Sequence, residues 1–246
     1  MSRNDPCFCG SGKKTKKCHS SIKENTKLAD ICIANVSFDR KVNQEKIQAN
    51  CRENCSACCS DFFFVSENEF LLILDGLERK GGKKLIDNYI QKALEYQSYL
   101  MEKYPETLKA LDSFMPQGTP NESKSYFNDN FDWDRSKPCI FLESGKCTIY
   151  ENRPLICRTY GVCDTCEIIC NPTRHFEEEK KLLEGMMLNG DEVILKRPYP
   201  LFYYFSYFLR EEYFDQVMTK LSLIRTLPEY QYTNYYRDLY KKINNG

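Results

Sequence analysis

The cysteines of this chain fall into two blocks whose spacing suits metal ligation. Of its 14 cysteines, all but Cys32 belong to these blocks. Cysteine is uncommon in intracellular chains, so dense sets at short separations indicate either crosslinking or metal binding. No apolar run of signal-peptide length follows the N-terminus, so we expect a cytoplasmic protein. Because the cytoplasm is reducing, metal ligation is the leading interpretation.

The first block is a complete ligand set for one zinc ion. Structural zinc takes four nitrogen or sulfur ligands in a tetrahedron. A peptide of about twenty residues buries too little surface to fold without such support. Gly10 and Gly12 tolerate positive φ, which allows the chain to reverse after the first two cysteines. The four predicted ligands are Cys7, Cys9, Cys18 and His19.

The run from Arg3 to His19 closely resembles the SEC-C zinc motif, which occurs at the C-terminus of the SecA translocation ATPase and on many other bacterial proteins. Phe8 stands where proline is common and Thr15 where an aromatic residue is common, but neither position is a ligand. The resemblance implies a small zinc module that docks on a protein or ribosomal partner. Lysines at positions 13, 14, 16 and 17 would attract an acidic surface.

The second block contains more thiols than one mononuclear site can use. A single zinc ion or a single cubane takes four protein thiolates, so two four-ligand sites or a multinuclear cluster remain open. Neighbouring residues on an extended backbone point to opposite sides, so the Cys58-Cys59 pair can serve two different sites. The block comprises Cys51, Cys55, Cys58, Cys59, Cys139, Cys147, Cys157, Cys163, Cys166 and Cys170.

Helical patterns surround these cysteines. Ser66 and Glu69 form a capping-box pattern that predicts a helix start. That helix should end near Gly81-Gly82, and a second one should run toward Pro105. We therefore predict a mainly α protein with a short cysteine-bearing β-hairpin, stabilised by metal.

The hairpin is predicted over residues 139–150, with its turn at residues 143–146. This arrangement would bring Cys139 and Cys147 near each other. Arg153 and Pro154 then predict the start of a helical turn that carries Cys157.

The order of these features resembles the CxxCxxCC, or YkgJ, family of cysteine-cluster proteins, which are described as chelating zinc or iron. The resemblance covers roughly residues 51–170, and three residues separate Cys51 from Cys55 where the family has two. It implies that the second block binds zinc, iron or an iron-sulfur cluster. The matching positions are the opening cysteines from Cys51 to Cys59, then Cys139, Cys147, Ile149, Tyr150, Arg153, Pro154, Cys157, Arg158 and Tyr160.

Two functional interpretations follow. The first is a non-catalytic metal-binding protein with an N-terminal zinc docking module. The second is an iron-sulfur redox or S-adenosylmethionine-dependent methyl-transfer enzyme, because flagellin lysine N-methylases carry a similar cysteine cluster. The spacing of Cys51, Cys55 and Cys58 also matches radical S-adenosylmethionine enzymes, but the helical pattern after Phe64 does not predict their α/β barrel. No catalytic residue is assigned.

The chain divides into four predicted parts: a zinc module at 1–20, a helical connector at 21–50, a cysteine-cluster domain at 51–175, and aromatic-rich C-terminal helices at 176–246 that pack on the cluster domain. Lys+Arg 35 balances Asp+Glu 35 and no apolar run has membrane-spanning length, so neither nucleic acid nor membrane is expected as a partner. We expect loss of Cys9 or Cys18 to unfold the small module and leave the large domain folded.

Overall fold

The computed structural model describes residues 3–44, 56–60, 64–114, 137–159 and 199–228. Over these residues the protein is mainly helical and carries two small antiparallel sheets of two strands each. The predicted fold class, mainly α with a short cysteine-bearing hairpin, is confirmed. None of the helices in the described ranges is long and apolar enough to cross a membrane.

Most of the described chain belongs to helices. The α-helices are α1 at Lys27–Gln44, α2 at Glu67–Lys103, α3 at Pro105–Phe114, α4 at Leu155–Thr159, α5 at Leu201–Tyr203 and α6 at Glu211–Ile224. A π-helical turn at Tyr204–Phe208 continues α5, and 3-10 helices cover Thr15–Lys17, Ala57–Ser60 and Tyr150–Asn152. The strands are β1 at Phe64–Val65, β2 at Leu142–Glu143, β3 at Lys146–Cys147 and β4 at Tyr199–Pro200, with β1 paired to β4 and β2 to β3.

Helix α2 begins at the predicted capping box. The Glu69 N–H donates to Ser66 Oγ at 3.3 Å, and the Ser66 N–H donates to Glu69 Oε2 at 3.0 Å. Gly82 has φ 58 and ψ −156, which a continuous α-helix cannot contain, so α2 kinks there. The sequence predicted two helices meeting at this position, and the structure has them as the two arms of α2.

The aromatic residues after β4 build the core against α2. The Tyr204 ring stacks on Phe70 with centroids 4.5 Å apart, and Phe205 meets Phe70 edge-on at 5.5 Å. The Tyr204 hydroxyl donates to the Val65 carbonyl at 3.2 Å, so this fully buried phenol keeps a hydrogen-bond partner. Residues 176–198 and 229–246, where further C-terminal helix was predicted, lie outside the described ranges.

The hairpin occurs where the sequence predicted it, with strands of only two residues each. Ser144 and Gly145 have φ of 49 and 74, the positive values that a tight type I′ turn requires at both central positions. The Thr148 hydroxyl donates to the Phe141 carbonyl at 3.0 Å and accepts from the Tyr89 hydroxyl at 2.8 Å. These hydrogen bonds attach the hairpin to α2 and thereby hold Cys147 of β3 in place.

Helix α1 lies within the predicted connector. Leu28 and Ile31 of its apolar stripe are buried, whereas Ile33 is 41% exposed. Cys32 is 2% exposed among these apolar neighbours, which agrees with its interpretation as a small buried hydrophobic residue.

Candidate metal centres

The first cysteine block forms a compact cage in the structure. The four ligand atoms of Cys7, Cys9, Cys18 and His19 all lie within 4.8 Å of one another. Cys9 Sγ is 3.6 Å from Cys18 Sγ, and His19 Nδ1 is 3.4 Å from Cys7 Sγ and 3.3 Å from Cys18 Sγ. A tetrahedral zinc ion with bonds of about 2.3 Å places its sulfur ligands roughly 3.8 Å apart. The donor set and its spacing therefore fit zinc.

Local backbone geometry produces this cage. Gly10 and Gly12 have φ of 79 and 76, so the glycines adopt the positive values expected from the sequence. The reversal is closed by a hydrogen bond from the Cys7 N–H to the Lys13 carbonyl at 2.8 Å. Cys7 and Cys9 are 4% and 3% exposed, so the folded module buries these two candidate ligands, while Cys18 is partly exposed.

The electrostatic surroundings favour the metal-binding forms of His19 and Cys9 but not that of Cys18. Burial, assisted by Arg79, lowers the pKa of His19 to about 4, so its imidazole is neutral at neutral pH. Burial raises the pKa of Cys18 to about 12. Burial also acts to raise the pKa of Cys9, but hydrogen bonds with Ser11 outweigh it and the net shift is downward. A metal ion must therefore displace the Cys18 proton, which couples binding to pH.

Ser11, between the two glycines of the reversal, lies next to two of the candidate ligands. Its hydroxyl lies 3.2 Å from Cys9 Sγ and 3.4 Å from Cys18 Sγ. A hydroxyl next to a thiolate ligand donates to the sulfur and orients it. The position of a serine between the CxC and the Cys-His pair was the available sequence signal for this role.

Five thiols of the second block are described, and four of them lie near enough to affect one another's pKa values. Burial raises the pKa of Cys157, and the thiols of Cys139, Cys58 and Cys147 add to the shift. Burial likewise raises the pKa of Cys139 to about 12, with Cys147 and Cys58 as contributing neighbours. These four thiols come from four separate segments: a 3-10 helix, the loop before β2, strand β3 and helix α4.

The two residues of the Cys58-Cys59 doublet interact with the other cysteines in different ways. The Cys58 thiol acts on the other three thiols, whereas Cys59 meets Cys139 through the backbone, where its carbonyl accepts from the Cys139 N–H at 2.6 Å. The four thiols Cys58, Cys139, Cys147 and Cys157 are called the four-thiol set below. Their donor chemistry fits zinc or iron.

The four-thiol set is less tightly gathered than the N-terminal cage. Within the described ranges, the N-terminal cage alone brings three or more ligand atoms within 4.8 Å of one another. The remaining predicted ligands, Cys51, Cys55, Cys163, Cys166 and Cys170, lie outside the described residues.

Glu69 positions the segment that carries Cys157, a role that its capping-box pattern did not reveal. Its Oε2 caps α2, while its Oε1 accepts from the Leu155 N–H, at the start of α4, at 2.8 Å. Glu69 is 2% exposed and Leu155 is fully buried, so this bond is shielded from water. One carboxylate thus fixes the starts of two helices.

The two centres border one cleft. A cleft of about 920 Å³ is lined by Cys18 and His19 of the N-terminal cage and by Cys147 of the four-thiol set. Arg79 and Arg158 also line it, and each places a positive charge near one of the centres. Positive side chains in this position stabilise thiolates, which are negatively charged when they bind metal.

These features define a class of protein, the cysteine-rich metal chelators. Residues 50–174 match the CxxCxxCC family, whose description is "Putative zinc- or iron-chelating domain", and residues 3–21 match the SEC-C motif. The first match spans just over half of the 246 residues, and the chain belongs to the CxxCxxCC family. Both resemblances predicted from the sequence are confirmed, in the predicted order. No curated protein and no solved structure matches the chain.

Proposed function

We propose that this protein binds zinc at the N-terminal cage and zinc or iron at the four-thiol set, and that both centres are structural. The observation that carries the proposal is that Cys58, Cys139, Cys147 and Cys157, from four separate segments, lie near enough to affect one another's pKa values, with the Cys139 N–H bonded to the Cys59 carbonyl at 2.6 Å. Four protein thiolates complete the coordination of a zinc ion or a cubane. Such a closed set leaves no open position for a substrate.

Burial favours the protonated thiols at this place, so a metal ion must displace their protons to bind. Burial raises the pKa of Cys147 as well, against the opposing effect of Arg153 and Arg158. Neutral thiols gathered at one point make only weak hydrogen bonds with one another. A bound cation converts them to thiolates and joins four chain segments, so binding free energy becomes folding free energy.

The metal content of the protein tests the proposal. We expect protein purified without oxygen and without added metal to contain metal at both centres, colourless if both hold zinc. Iron with acid-labile sulfide and a broad absorption band at about 400 nm would instead support the iron-sulfur alternative. A folded chain that carried metal at the N-terminal cage alone would contradict the proposal for the four-thiol set.

The iron-sulfur alternative is a redox or methyl-transfer enzyme, and the cleft beside Cys147 is the observation that favours it. Its volume lies in the range of ligand pockets. If the second centre holds an iron-sulfur cluster, binding of S-adenosylmethionine in this cleft is the next measurement. Unchanged cluster spectra and no bound S-adenosylmethionine would leave the structural function in place.

We further propose that the zinc module docks on an acidic protein or ribosomal surface through Lys14, Lys16 and Lys17. All three side chains are exposed, and they lie on or next to the 3-10 helix that precedes Cys18. Changing all three to glutamate is expected to abolish salt-sensitive co-sedimentation with ribosomes. The matched control changes the exposed Lys84, Lys103 and Lys109 to glutamate. Equal sedimentation of the two variants would refute a docking role for the module.

A further inference from the structure

Two neighbouring residues of α1 connect the two candidate centres. Arg40 donates a hydrogen bond to the carbonyl of Gly10, which directly follows Cys9. Asp39 accepts from Arg158 Nη1 at 2.5 Å, and Arg158 directly follows Cys157. A single turn of α1 therefore bonds to the residue after Cys9 in one centre and to the residue after Cys157 in the other.

Arg158 is the buried end of this connection. Its side chain is 3% exposed, and it also donates to the Arg153 carbonyl at 3.2 Å and to the Glu151 carbonyl at 2.5 Å. The Glu151 carboxylate pairs with Lys13 at 2.6 Å, but both of those side chains are more than half exposed. Exposed pairs contribute little, whereas a buried guanidinium that loses its carboxylate is destabilising. The Asp39–Arg158 pair is therefore the stronger of the two links.

Helix α2 supplies a second connection through Asp75. This carboxylate is fully buried and accepts from Ser21 Oγ at 2.7 Å, just beyond the N-terminal cage. It also accepts from Arg79 Nε at 2.9 Å, while Arg79 Nη1 donates to the Cys18 carbonyl at 2.6 Å. Separating the cage from α2 would take Ser21 away from this buried carboxylate and Arg79 away from the Cys18 carbonyl, while Arg79 and Arg225 would stay paired with Asp75.

We propose that metal binding at the two centres is thermodynamically coupled through these contacts. Metal at the N-terminal cage fixes the carbonyls of Gly10 and Cys18, which hold α1 and α2, and Asp39 of α1 holds the segment that carries Cys157. The coupling rests on the proposed function, since it requires metal at both centres. It differs from the independently folding zinc module expected from the sequence. Because such coupling is reciprocal, loss of either metal weakens binding of the other by the same factor.

The test removes the first metal and measures the second. In the full-length chain, Cys9→Ser is expected to lower the zinc affinity of the four-thiol set by about fivefold or more, measured by competition with a chromophoric chelator. Amide hydrogen exchange over residues 137–159 should quicken in the same variant. Unchanged affinity and exchange would overturn the coupling and leave the proposed function intact. A wild-type chain with no metal at the four-thiol set would overturn both.

A matched pair of variants tests the route through α1. Asp39 and Asp87 are 44% and 46% exposed, and each forms one ion pair, with Arg158 and with Lys83. Asp39→Asn is expected to lower metal affinity at the four-thiol set, whereas Asp87→Asn should leave it unchanged. Combined with Cys9→Ser, Asp39→Asn should add less than its effect alone, because both changes interrupt one connection. Full additivity, or equal behaviour of the two Asn variants, would overturn this route.

Discussion

Replacing Cys157 with alanine is expected to remove the metal of the four-thiol set, while the N-terminal cage keeps its own with a lowered affinity. Cys139, Cys58 and Cys147 lie near enough to Cys157 to raise its pKa, so its loss leaves three candidate ligands for the ion. A ligand that binds only the folded state adds about 4 kcal/mol of stability when its free concentration is roughly 1,000 times its Kd. We therefore expect the protein to lose the metal bound at this centre and the midpoint of its thermal unfolding to fall.

Cys32→Ala is the control for this prediction. Cys32 is 2% exposed on α1 and belongs to neither candidate centre, so its replacement removes one buried sulfur without removing a ligand. Metal content should be unchanged in this variant. Retention of full metal content by Cys157→Ala, measured by elemental analysis after dialysis against a weak chelator, would remove Cys157 from the ligand set.

Glu69→Ala is expected to destabilise the domain by about 3 kcal/mol and to weaken metal retention at the four-thiol set. The change deletes the acceptor for the buried Leu155 N–H and the acceptor for the Ser66 N–H. A buried donor without a partner is destabilising by about 1–3 kcal/mol, and the loss of a helix cap adds to this. Because Leu155 begins the helix that carries Cys157, the ligand loses its support as well.

Glu67→Gln is the matched control, two residues earlier in the same helix. Glu67 is 6% exposed, and its Oε1 has no hydrogen-bond partner among the described residues. Burial raises the pKa of Glu67 well above its ordinary value, so a neutral amide of the same shape suits the site. We expect this variant to be as stable as the wild type in urea unfolding. If Glu69→Ala unfolded at the same urea concentration as Glu67→Gln, the capping role of Glu69 would be refuted.

Local features of the fold could be predicted because neighbouring residues determine them. Ser66 and Glu69 are three positions apart, and the capping box forms between them as expected. Ser144 and Gly145 alone provide the positive φ values of the hairpin turn. In contrast, the second hydrogen bond of Glu69 joins it to Leu155, 86 positions later in the chain. No local sequence pattern predicts a contact over that separation.

The sequence by itself determined the family and the candidate ligand set of the N-terminal cage, because four side chains able to bind metal within 13 residues need only one glycine-assisted reversal to meet. It also predicted ten candidate thiols for the second centre without ranking them. Only the tertiary structure placed Cys58 near enough to Cys139, Cys147 and Cys157 to raise their pKa values. The tertiary structure also paired Asp39 with Arg158, 119 positions away. The physical reason is that such meetings depend on how α1, α2 and the hairpin pack, and packing between distant segments is a property of the whole fold.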